Sequence, residues 1–500
     1  MMNKLVSINR LNQMINKFHK KVVLCHGVFD LLHTGHIDHF EEAKKISKAE
    51  ILIVSITDDN FVNKGINRPI NKINDRVKIL SSISVIDYIV VNKAITAIEL
   101  LKNLKPNYYC KGPDYKNFKK DITDNILLEK RTVQKYGGKI IFTNSPTKSS
   151  SNLINSHFKN LNKFQEDFIK NLKKDSSVKI KNIFTKFKKL KILIVGEIII
   201  DEYIFCEALG KSGKESVLTF RNLKKEKYLG GSLAVANHLS SFVSKIDVVS
   251  YNGKSINSFK KRLPKNVNLR SFKKDKTNTV VKTRYIDHID NRKFMGIYDI
   301  NDTILNQKEE NLLLSKLKDI KKFDIVIVCD YGHGLVTEKI SKYISKNSKF
   351  LCVNAQVNSS NLSYHSIRKY KNTDCVVVNG LELRHEKRDR YTDIEKLAKE
   401  MRKEIKSKNI AVTQGKNGAF IVNNKGEITN CPAFATKIID KVGSGDALLA
   451  TLSIFLQQKN NEKLSLFASS LAAAQSVESI GNSLRLDYLK LLKSITYMLK

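Results

Sequence analysis

The chain has 500 residues, more than one hydrophobic core normally organises, so the sequence predicts at least two domains. Hydrophobic residues make up 41% and charged residues 27%, and no Pro-rich, Gly-rich or repeated tract occurs, which excludes a fibrous or disordered protein. Lys and Arg number 88 against 49 Asp and Glu, a net charge of +39 that would attract anions.

The positive charge has two interpretations. A nucleic-acid binder concentrates its basic residues on one face or tail. Here Lys, Asn and Ile are abundant along the whole chain, as in proteins encoded by AT-rich genomes. We therefore expect a solvated basic surface without a nucleic-acid partner, and small anionic substrates as the functional consequence of the charge.

Neither the apolar runs nor the cysteines indicate a membrane or secreted protein. No stretch of about 18 apolar residues occurs, so no membrane span and no membrane partner are expected. The first 29 residues lack Asp and Glu, as in a transit peptide, but they lead directly into the strand-like run KVVLCHGVFD and are interpreted as part of the fold. Seven scattered cysteines without CxxC spacing favour buried thiols in a reducing cytoplasm, so a cytoplasmic protein is expected.

The predicted elements from Lys21 to about Ile154 alternate between strands and helices. In chain order they are the strand KVVLC, a helix through HFEEAKKI, the strand ILIVSIT, a helix near DRVKILSSI, and the strands DYIVV and KIIFT. Such alternation builds parallel βαβ units, so a doubly wound α/β domain is expected over residues 1–155.

Residues 156–190 differ in pattern from the sequence before them. Apolar residues recur there at helical spacing among Lys and Asn, namely Phe158, Leu161, Phe164, Phe168 and Leu172. The basic run KIKNIFTKFKKLK follows. The pattern predicts a basic helical linker whose apolar stripe packs on a domain or a second subunit rather than on a membrane.

A second α/β unit begins with the β-run ILIVGEIIID. Further strands are predicted at FDIVIVCD, FLCVNA, DCVVVN, NIAVTQG and AFIVNN, followed by helices after Gly445. Residues 191–500 are long enough for one large domain.

A candidate phosphate site lies immediately after the first strand, in the run CHGVFDLLHTGH. The chain turns through Gly27 and Phe29 and enters a helix near Gly35. The free N–H groups and partial positive charge of a helix N-terminus bind phosphate, and His33 and His36 are spaced to converge on one anion. The alternative is that the two histidines only cap the helix and pack against it.

The run HTGH, from His33 to His36, resembles the HxGH signature of the nucleotidyltransferase superfamily. NKGINRP at 63–69, CKGPDY at 110–115 and SSSNLI at 149–154 resemble segments of sugar-phosphate and heptose-phosphate nucleotidyltransferases. The resemblance implies a Rossmann-like domain in which a sugar phosphate oxygen attacks the α-phosphate of a nucleoside triphosphate and releases pyrophosphate. His33 and His36 would be catalytic, and the implied nucleotide contacts are Gly27, Phe29, Lys64, Arg68, Lys111, Ser150 and Ser151.

A second candidate site is the run DKVGSGD at 440–446, directly before the apolar helix ALLATLSIFL. Gly443, Ser444 and Gly445 allow backbone N–H groups to approach a phosphoryl group, and the helix adds its dipole. Asp446 at the helix start is placed to take a proton from a hydroxyl that attacks a γ-phosphate. The alternative is an Asp N-cap after a glycine turn.

Residues 192–500 resemble the ribokinase-like sugar kinases. Besides DKVGSGD, the resemblance rests on YLGGSLAVAN at 228–237, NGLE at 379–382 and VTQGKNG at 412–418. It implies that Asp446 is the catalytic base, and that Asn379 and Glu382 organise Mg²⁺ and the phosphates. The other implied contacts are Asp201, Gly230, Gly231 and Asn237 for the sugar, and Thr413 and Gly415 for ATP.

A kinase joined to a nucleotidyltransferase resembles the bifunctional heptose 7-phosphate kinases and heptose 1-phosphate adenylyltransferases of bacterial surface-polysaccharide synthesis. The resemblance implies ATP or CTP and a sugar phosphate as substrates, Mg²⁺ as cofactor and a nucleotide-activated sugar as product, and we also expect a homo-oligomer. Three features depart from it: the transferase comes first, NAQVNSSN follows the strand FLCV, and His333 stands where a lysine is usual. The alternatives are the same two chemistries on another sugar or polyol phosphate with CTP, or one domain that acts only as a binding module.

Overall fold

The computed structural model of the chain describes residues 4–18, 20–62, 68–115, 125–144, 161–175, 180–253, 259, 261–362 and 364–499. The chain divides into two compact units, whose main segments are Met1–Lys163 and Phe164–Ile495. Both units combine helices with largely parallel sheets, which confirms the predicted α/β fold class.

The first unit contains a parallel sheet to which the described residues contribute five strands. These are β1 (Val22–Gly27), β2 (Ile51–Thr57), β3 (Tyr88–Asn92), β4 (Tyr108–Lys111) and β5 (Lys139–Phe142), in the order β3-β2-β1-β4-β5. The helices are α1 (Ile8–Phe18), α2 (Thr34–Ser47), α3 (Ile73–Ser81), α4 (Ile98–Leu104) and α5 (Asn125–Lys135). The strand order reverses beside β1, and such a reversal leaves a crevice at the carboxyl ends of the strands, where HTGH begins.

Strand β1 is apolar along its length because both of its faces are buried. Val23 and Cys25 pack in a cluster with Phe40 of α2, whereas Val22 and Leu24 belong to a cluster on the opposite face. This double burial fixes the carboxyl end of β1 and therefore the start of the loop that carries the histidines.

The second unit contains two sheets. Its strands are β6 (Lys191–Gly196), β7 (Ile198–Lys211), β8 (Leu218–Gly231), β9 (Lys245–Tyr251), β10 (Val267–Phe272), β11 (Val280–Asp287), β12 (Lys293–Asp299), β13 (Ile325–Asp330), β14 (Leu351–Ala355), β15 (Cys375–Asn379), β16 (Asn409–Thr413), β17 (Ala419–Val422) and β18 (Ile428–Cys431). The described strands of the larger sheet have the order β10-β9-β6-β13-β14-β15-β16-β17-β18, and only the pairs that involve β17 are antiparallel. Apolar strands in this sheet are buried between layers of helices.

The first two helices of this region precede β6, and the others lie between or after the strands. They are α6 (Lys163–Asp175), α7 (Ile180–Phe187), α8 (Ser232–Leu239), α9 (Gln307–Lys316), α10 (Glu338–Asn347), α11 (Gly380–Lys387), α12 (Ile394–Glu404), α13 (Ser444–Gln457), α14 (Glu462–Ser476) and α15 (Tyr488–Met498). Short 3₁₀ helices occur at Asp59–Phe61, Pro113–Tyr115, Ile320–Lys322, Ile367–Lys369 and Gly415–Asn417.

The smaller sheet consists of a long hairpin and two shorter strands, in the order β12-β11-β7-β8. Strands β7 and β8 have 14 residues each and pair antiparallel. Residues 293–299 of β12 are all exposed, so one edge of this sheet projects into solvent. The carboxylate of Asp201 and the glycines of YLGGS lie where this sheet leaves the larger one.

The two helices of the basic linker pack on the second unit through aromatic rings. The ring of Phe168 in α6 lies 6.3 Å from that of Phe434 and 6.0 Å from that of Phe467. In α7, the rings of Phe184 and Phe187 lie 5.8 and 5.0 Å from that of Phe455. Among the described residues, no helix is both long and apolar enough to cross a membrane.

Candidate active sites

The two histidines of HTGH meet at the start of α2. His33 is the N-cap residue, with an extended backbone, and its N–H donates to Nδ1 of His36 over 3.4 Å. The two imidazole rings lie 4.0 Å apart between centroids and are tilted by 32°. The structure therefore brings both predicted catalytic histidines together at a helix N-terminus, whose partial positive charge would stabilise an anion.

Phe29, in the loop before α2, packs against residues of that helix. Its backbone has φ 49°, and its ring packs edge-on to His36 at 5.4 Å and against Phe40 at 5.2 Å. A Cβ at Gly27 would lie 2.9 Å from the end of the Phe29 ring, so a larger residue there would displace the aromatic ring. Phe29 is buried, so its predicted nucleotide contact would be made through its backbone.

The predicted phosphate contacts Arg68 and Lys111 both form buried ion pairs. Nε of Arg68 donates to Asp30 over 2.6 Å, and Nζ of Lys111 lies 3.3 Å from a Glu129 oxygen. Each cation is therefore paired with a carboxylate, and Nη2 of Arg68 is buried without a hydrogen-bond partner among the described residues, so it could still donate to a phosphate. Three further predicted contacts, Lys64, Ser150 and Ser151, lie outside the described residues.

The run DKVGSGD forms a tight turn that leads into α13. Gly443 is the N-cap residue, has φ 88°, and a Cβ there would lie 2.0 Å from Oδ1 of Asn482. Asp440 anchors the turn, because its carboxylate accepts from the Tyr203 hydroxyl, from the backbone N–H of Gly481 and from Lys293. Ser444 and Gly445 form the first residues of the helix, so the turn presents the N–H groups of a helix start, as predicted for a phosphoryl site.

Asp446 lies in the first turn of α13, where its carboxylate accepts from the Tyr331 hydroxyl over 2.9 Å. Burial raises the pKa of Asp446 to about 7, and the nearby Asp201 carboxylate acts in the same direction. The Tyr331 hydroxyl and the Lys282 ammonium oppose that rise in pKa. A carboxylate with such a pKa is suited to accept a proton near neutral pH.

The predicted sugar contacts converge on Asp201. Gly230 and Gly231 pair with Ile199 and Ile198 across β7 and β8, and a Cβ at Gly230 would lie 2.3 Å from Oδ2 of Asp201. The Asp201 carboxylate also accepts from Nη1 of Arg284 over 2.5 Å. Gly230 therefore leaves the space that the carboxylate occupies, whereas a Cβ at Gly231 would lie 2.4 Å from the backbone oxygen of Glu197.

Asn237 is also near this part of the fold, on α8, which begins directly after Gly231. It is half-buried, whereas its neighbours Ala236 and His238 are buried. Its side chain is thus the more accessible one on that turn of the helix, and its sugar contact stays a prediction.

Asn379 and Glu382 form a capping box at the start of α11. Oδ1 of Asn379 accepts from the N–H of Glu382 over 2.8 Å, and Oε2 of Glu382 accepts from the N–H of Asn379 over 2.7 Å. Burial raises the pKa of Glu382 to about 7. Both side chains therefore hold the helix start, and the predicted role of Glu382 toward Mg²⁺ would be additional to this structural role.

The predicted ATP residues follow neighbouring strands of the large sheet. Thr413 is the last residue of β16 and lies opposite Asn379 of β15, and Gly415 follows with φ 58°. Carboxyl ends of adjacent parallel strands meet at one edge of a sheet. The capping box and the ATP residues therefore share that edge.

Lys282 and Arg284 are site residues that the sequence reasoning missed. Lys282 is buried, burial lowers its pKa, and its Nζ lies 5.6 Å from the Tyr298 ring centroid and 5.9 Å from that of Tyr331. The sequence does contain a signal, because VVKTRYID places two cations two residues apart, on one face of a strand. A cationic face opposite Asp201 is suited to an anionic substrate.

His333, one of the departures from the resembled family, is buried beneath this site. Its Nδ1 lies 2.6 Å from Oδ1 of Asp302, and its backbone N–H donates to the buried carboxylate of Glu197 over 3.0 Å. Burial lowers the pKa of His333. A lysine there would add a charge that the imidazole does not carry at neutral pH.

The replacement Gly230→Ala is expected to lower kcat/KM for the sugar by up to about a hundredfold, because the new methyl group would displace the Asp201 carboxylate. Gly213→Ala is the matched control, since a Cβ at Gly213 has no atom within 4 Å. Steady-state kinetics of both variants test the expectation. Equal kinetics for Gly230→Ala and wild type would show that Asp201 does not position the sugar.

Two sequence models of known families match the chain. The model of the pfkB family carbohydrate kinases matches residues 189–487, which is more than half of the chain. The cytidylyltransferase-like model matches residues 24–181, which include HTGH. The predicted enzyme class, a sugar kinase with a nucleotidyltransferase, is thereby confirmed at the level of families.

Curated relatives named Bifunctional protein HldE are similar to parts of the chain. That of Aliarcobacter butzleri (strain RM4018) is 38% identical over 128 residues, 25% of this chain and 26% of the relative. That of Helicobacter pylori (strain Shi470) is 27% identical over 310 residues, 59% of this chain and 64% of the relative. The matched regions thus span between about a quarter and two thirds of these relatives.

Solved structures of Escherichia coli phosphofructokinase-2 are similar in fold. A mutant of that enzyme aligns with TM-score 0.52 and 15% identity, over 62% of this chain and 100% of the other. Its complex with fructose-6-phosphate aligns with TM-score 0.51 at 15% identity, with the same coverage. At this identity the similarity concerns the fold, and it agrees with the ribokinase-like domain expected after residue 191.

The family of the chain follows from the sequence model of the carbohydrate kinases. That model matches more than half of the chain, at residues 189–487, and the match includes Asp201, Asp446 and the turn before α13. The chain therefore belongs to the pfkB family of carbohydrate kinases.

Proposed function

We propose that this protein is a bifunctional enzyme of nucleotide-sugar synthesis. Its kinase domain would phosphorylate a heptose 7-phosphate-like sugar phosphate with ATP. Its N-terminal domain would transfer a nucleotidyl group from ATP to a sugar 1-phosphate, for use in surface polysaccharide. The proposed domains are residues 1–155, the linker 156–190 and residues 191–500. The observation that carries the proposal is the presence of two separately built sites, one at His33 and His36 and the other at Asp446.

In the kinase site, Asp446 would accept the proton of the attacking sugar hydroxyl. The N–H groups at the start of α13 would stabilise the charge that develops on the transferred phosphoryl group. Lys282, buried near Asp201 and Asp446, would neutralise charge on the substrate side. The tightness of the turn at Gly443 supports this assignment, because it brings backbone rather than side chain to the phosphate.

Mg²⁺ would be held mainly by the triphosphate, whose charge it would neutralise. The proposed protein contact is Glu382, the buried carboxylate of the capping box. Glu382 already accepts backbone N–H groups from Asn379 and Val357, and its remaining acceptor capacity would be available to the hydrated ion.

In the transferase site, His33 and His36 would donate hydrogen bonds to the α-phosphate as pyrophosphate leaves. Arg68, through Nη2, and Lys111 would bind the phosphates of the nucleotide while each keeps its carboxylate partner, Asp30 or Glu129. No covalent enzyme intermediate is required, since the sugar phosphate oxygen is itself the nucleophile.

The substrates are tested by mass spectrometry of the products made by the full chain with Mg²⁺ and either ATP or CTP. Heptose 7-phosphate should give a bisphosphate, and heptose 1-phosphate should give an ADP-sugar. Turnover of another sugar or polyol phosphate alone, or turnover only with CTP, would retain the two chemistries and contradict the heptose and ATP assignments. The name Bifunctional protein HldE carried by the relatives supports the pairing of two activities.

The kinase reaction is expected to depend on pH through Asp446. Because the carboxylate must be ionised to accept a proton and burial raises its pKa to about 7, kcat/KM should rise with pH and level off above about 7. Tyr331→Phe removes the hydroxyl that stabilises the ionised form, so the midpoint should move upward by about one pH unit. Tyr391→Phe, at an exposed position, is the control. An unchanged midpoint in Tyr331→Phe would exclude Asp446 as the titrating group.

We also propose a homo-oligomer that buries one exposed face of the four-stranded sheet, the face on which Met295 and Ile297 lie. Met295 and Ile297 of β12 lie two residues apart on one face of that strand and are 46% and 53% exposed. Ile297→Lys should therefore shift the purified chain to a smaller species in light scattering. Ile289→Lys, in the turn between β11 and β12, should leave the mass unchanged. A monomeric wild-type chain would refute the proposal.

A further inference from the structure

A cluster of two cysteines and one histidine lies within the first unit, beside Lys111, and contains none of the residues assigned to the nucleotide. Cys25 of β1 and Cys110 of β4 are direct partners in the parallel register, so their side chains lie on the same face of the sheet. His39 of α2 completes the cluster, and one ligand atom from each residue lies within 4.8 Å of the others. Both cysteines are buried, and neither forms a disulfide.

A hydrogen bond to a neighbouring strand end fixes the imidazole of His39. Its Nδ1 lies 2.9 Å from Oγ1 of Thr143, a buried residue directly after β5. That hydrogen bond leaves Nε2 as the ring nitrogen for an ion. Histidines that bind metals usually engage their other ring nitrogen in this way, because the second hydrogen bond fixes the orientation of the imidazole.

We propose that Cys25, His39 and Cys110 bind a Zn²⁺ ion. Two sulfur ligands and one imidazole are a donor set that zinc prefers, and a water molecule would take the fourth tetrahedral position. On binding, each thiol loses its proton to solvent, and two thiolates with one divalent cation give a site without net charge. Neutrality matters because an uncompensated buried charge is costly, and the neighbouring Lys111 already has Glu129 as its partner.

The ion would join three elements, because its ligands come from β1, β4 and α2. The same helix begins at His33 and carries His36 in its first turn. Zinc would therefore have a structural role, as a link that holds α2 against the sheet below the phosphate site. This inference concerns metal binding and does not rest on the proposed activity.

The chain contains a matched control for the cysteine pair. Cys352 of β14 and Cys375 of β15 are also direct partners in a parallel register and are also buried. Within the described part of the chain, however, no second cluster of three ligands of this kind occurs. The two pairs thus differ in the presence of a histidine.

The test is metal binding to the full chain after treatment with a chelator and in the presence of a reductant. Titration with Zn²⁺ against a chromogenic chelator should give one tight site per chain, and Co²⁺ should produce a thiolate-to-cobalt absorption band. Thermal unfolding should shift to higher temperature with Zn²⁺. His39→Gln changes a partly buried residue and retains both thiols, and it should weaken Zn²⁺ binding by more than about tenfold. Cys375→Ser should bind Zn²⁺ like wild type.

Three results would overturn the zinc site. The first is wild-type protein that binds no Zn²⁺ under these conditions. The second is equal affinity in wild type and His39→Gln, and the third is loss of the site in Cys375→Ser. Should His39→Gln fail to fold, the cobalt spectrum of the wild-type chain still reports directly whether thiolates bind the ion.

Discussion

Asp446→Asn is expected to reduce the rate of sugar phosphorylation by about 10²- to 10⁴-fold, the contribution typical of a general base. The amide has the size of the carboxylate and can still accept from the Tyr331 hydroxyl, so the fold should be retained. It cannot take a proton from the sugar hydroxyl near neutral pH. Rapid-quench measurement of phosphoryl transfer in wild type and variant gives the effect on the chemical step.

The control for this variant is Asp393→Asn. Asp393 is an exposed N-cap residue at the start of α12, and Asn is an equally good cap, so this change alters the same atoms at another helix start. Its phosphorylation rate should equal that of wild type. A folded Asp446→Asn protein with an undiminished rate would remove Asp446 from the mechanism.

His36→Ala is expected to lower nucleotidyl transfer by about 10²- to 10³-fold, because it removes a donor aimed at the charge that develops on the phosphate. It also removes the partner of the His33 ring and N–H, so the loop before α2 loses its contact with the first helical turn. Release of pyrophosphate from the nucleoside triphosphate measures the loss.

His385→Ala, at an exposed position on α11, is the control for a histidine replacement, and it should retain full transfer. Unfolding of the first unit would also abolish transfer, so thermal denaturation has to accompany the assay. Full transfer by a folded His36→Ala protein would contradict the role that the HxGH resemblance implies.

The sequence predicted most of both large sheets because their strands are short apolar runs. ILIVSIT corresponds to β2 at Ile51–Thr57, and DCVVVN contains β15 at Cys375–Asn379. Strand β4, Tyr108–Lys111, was missed, and its last two residues were considered only as part of the motif CKGPDY. The run ILIVGEIIID was interpreted as one strand, whereas the structure divides it at the buried Glu197, whose carboxylate accepts backbone N–H groups of Tyr331 and His333.

The four-stranded sheet could not be predicted from apolar runs, since it has polar and exposed strands. Strand β8, LTFRNLKKEKYLGG, contains several charges and is largely exposed, and β12 is exposed throughout. Such strands are specified by their pairing with β7 and β11, which is a long-range property. Because this sheet was not predicted, Lys282 and Arg284 on β11 were not identified as site residues either.

The motifs indicated the two candidate sites, but they did not reveal how each side chain is held. HTGH and DKVGSGD correspond to real helix starts, at α2 and α13. The partners Glu129 and Asp30 of the predicted phosphate cations are distant in sequence, and so is Tyr331 from Asp446. Only the folded chain brings such pairs together, and they determine charge and pKa at the sites.

The central claim is that one chain carries two independent active sites. It is tested most directly by supplying both sugar phosphates with ATP and Mg²⁺ to wild type, Asp446→Asn and His36→Ala, and measuring both products in the same reaction. Wild type should make both products, Asp446→Asn only the nucleotide sugar, and His36→Ala only the newly phosphorylated sugar. Loss of both products in either folded variant would contradict it.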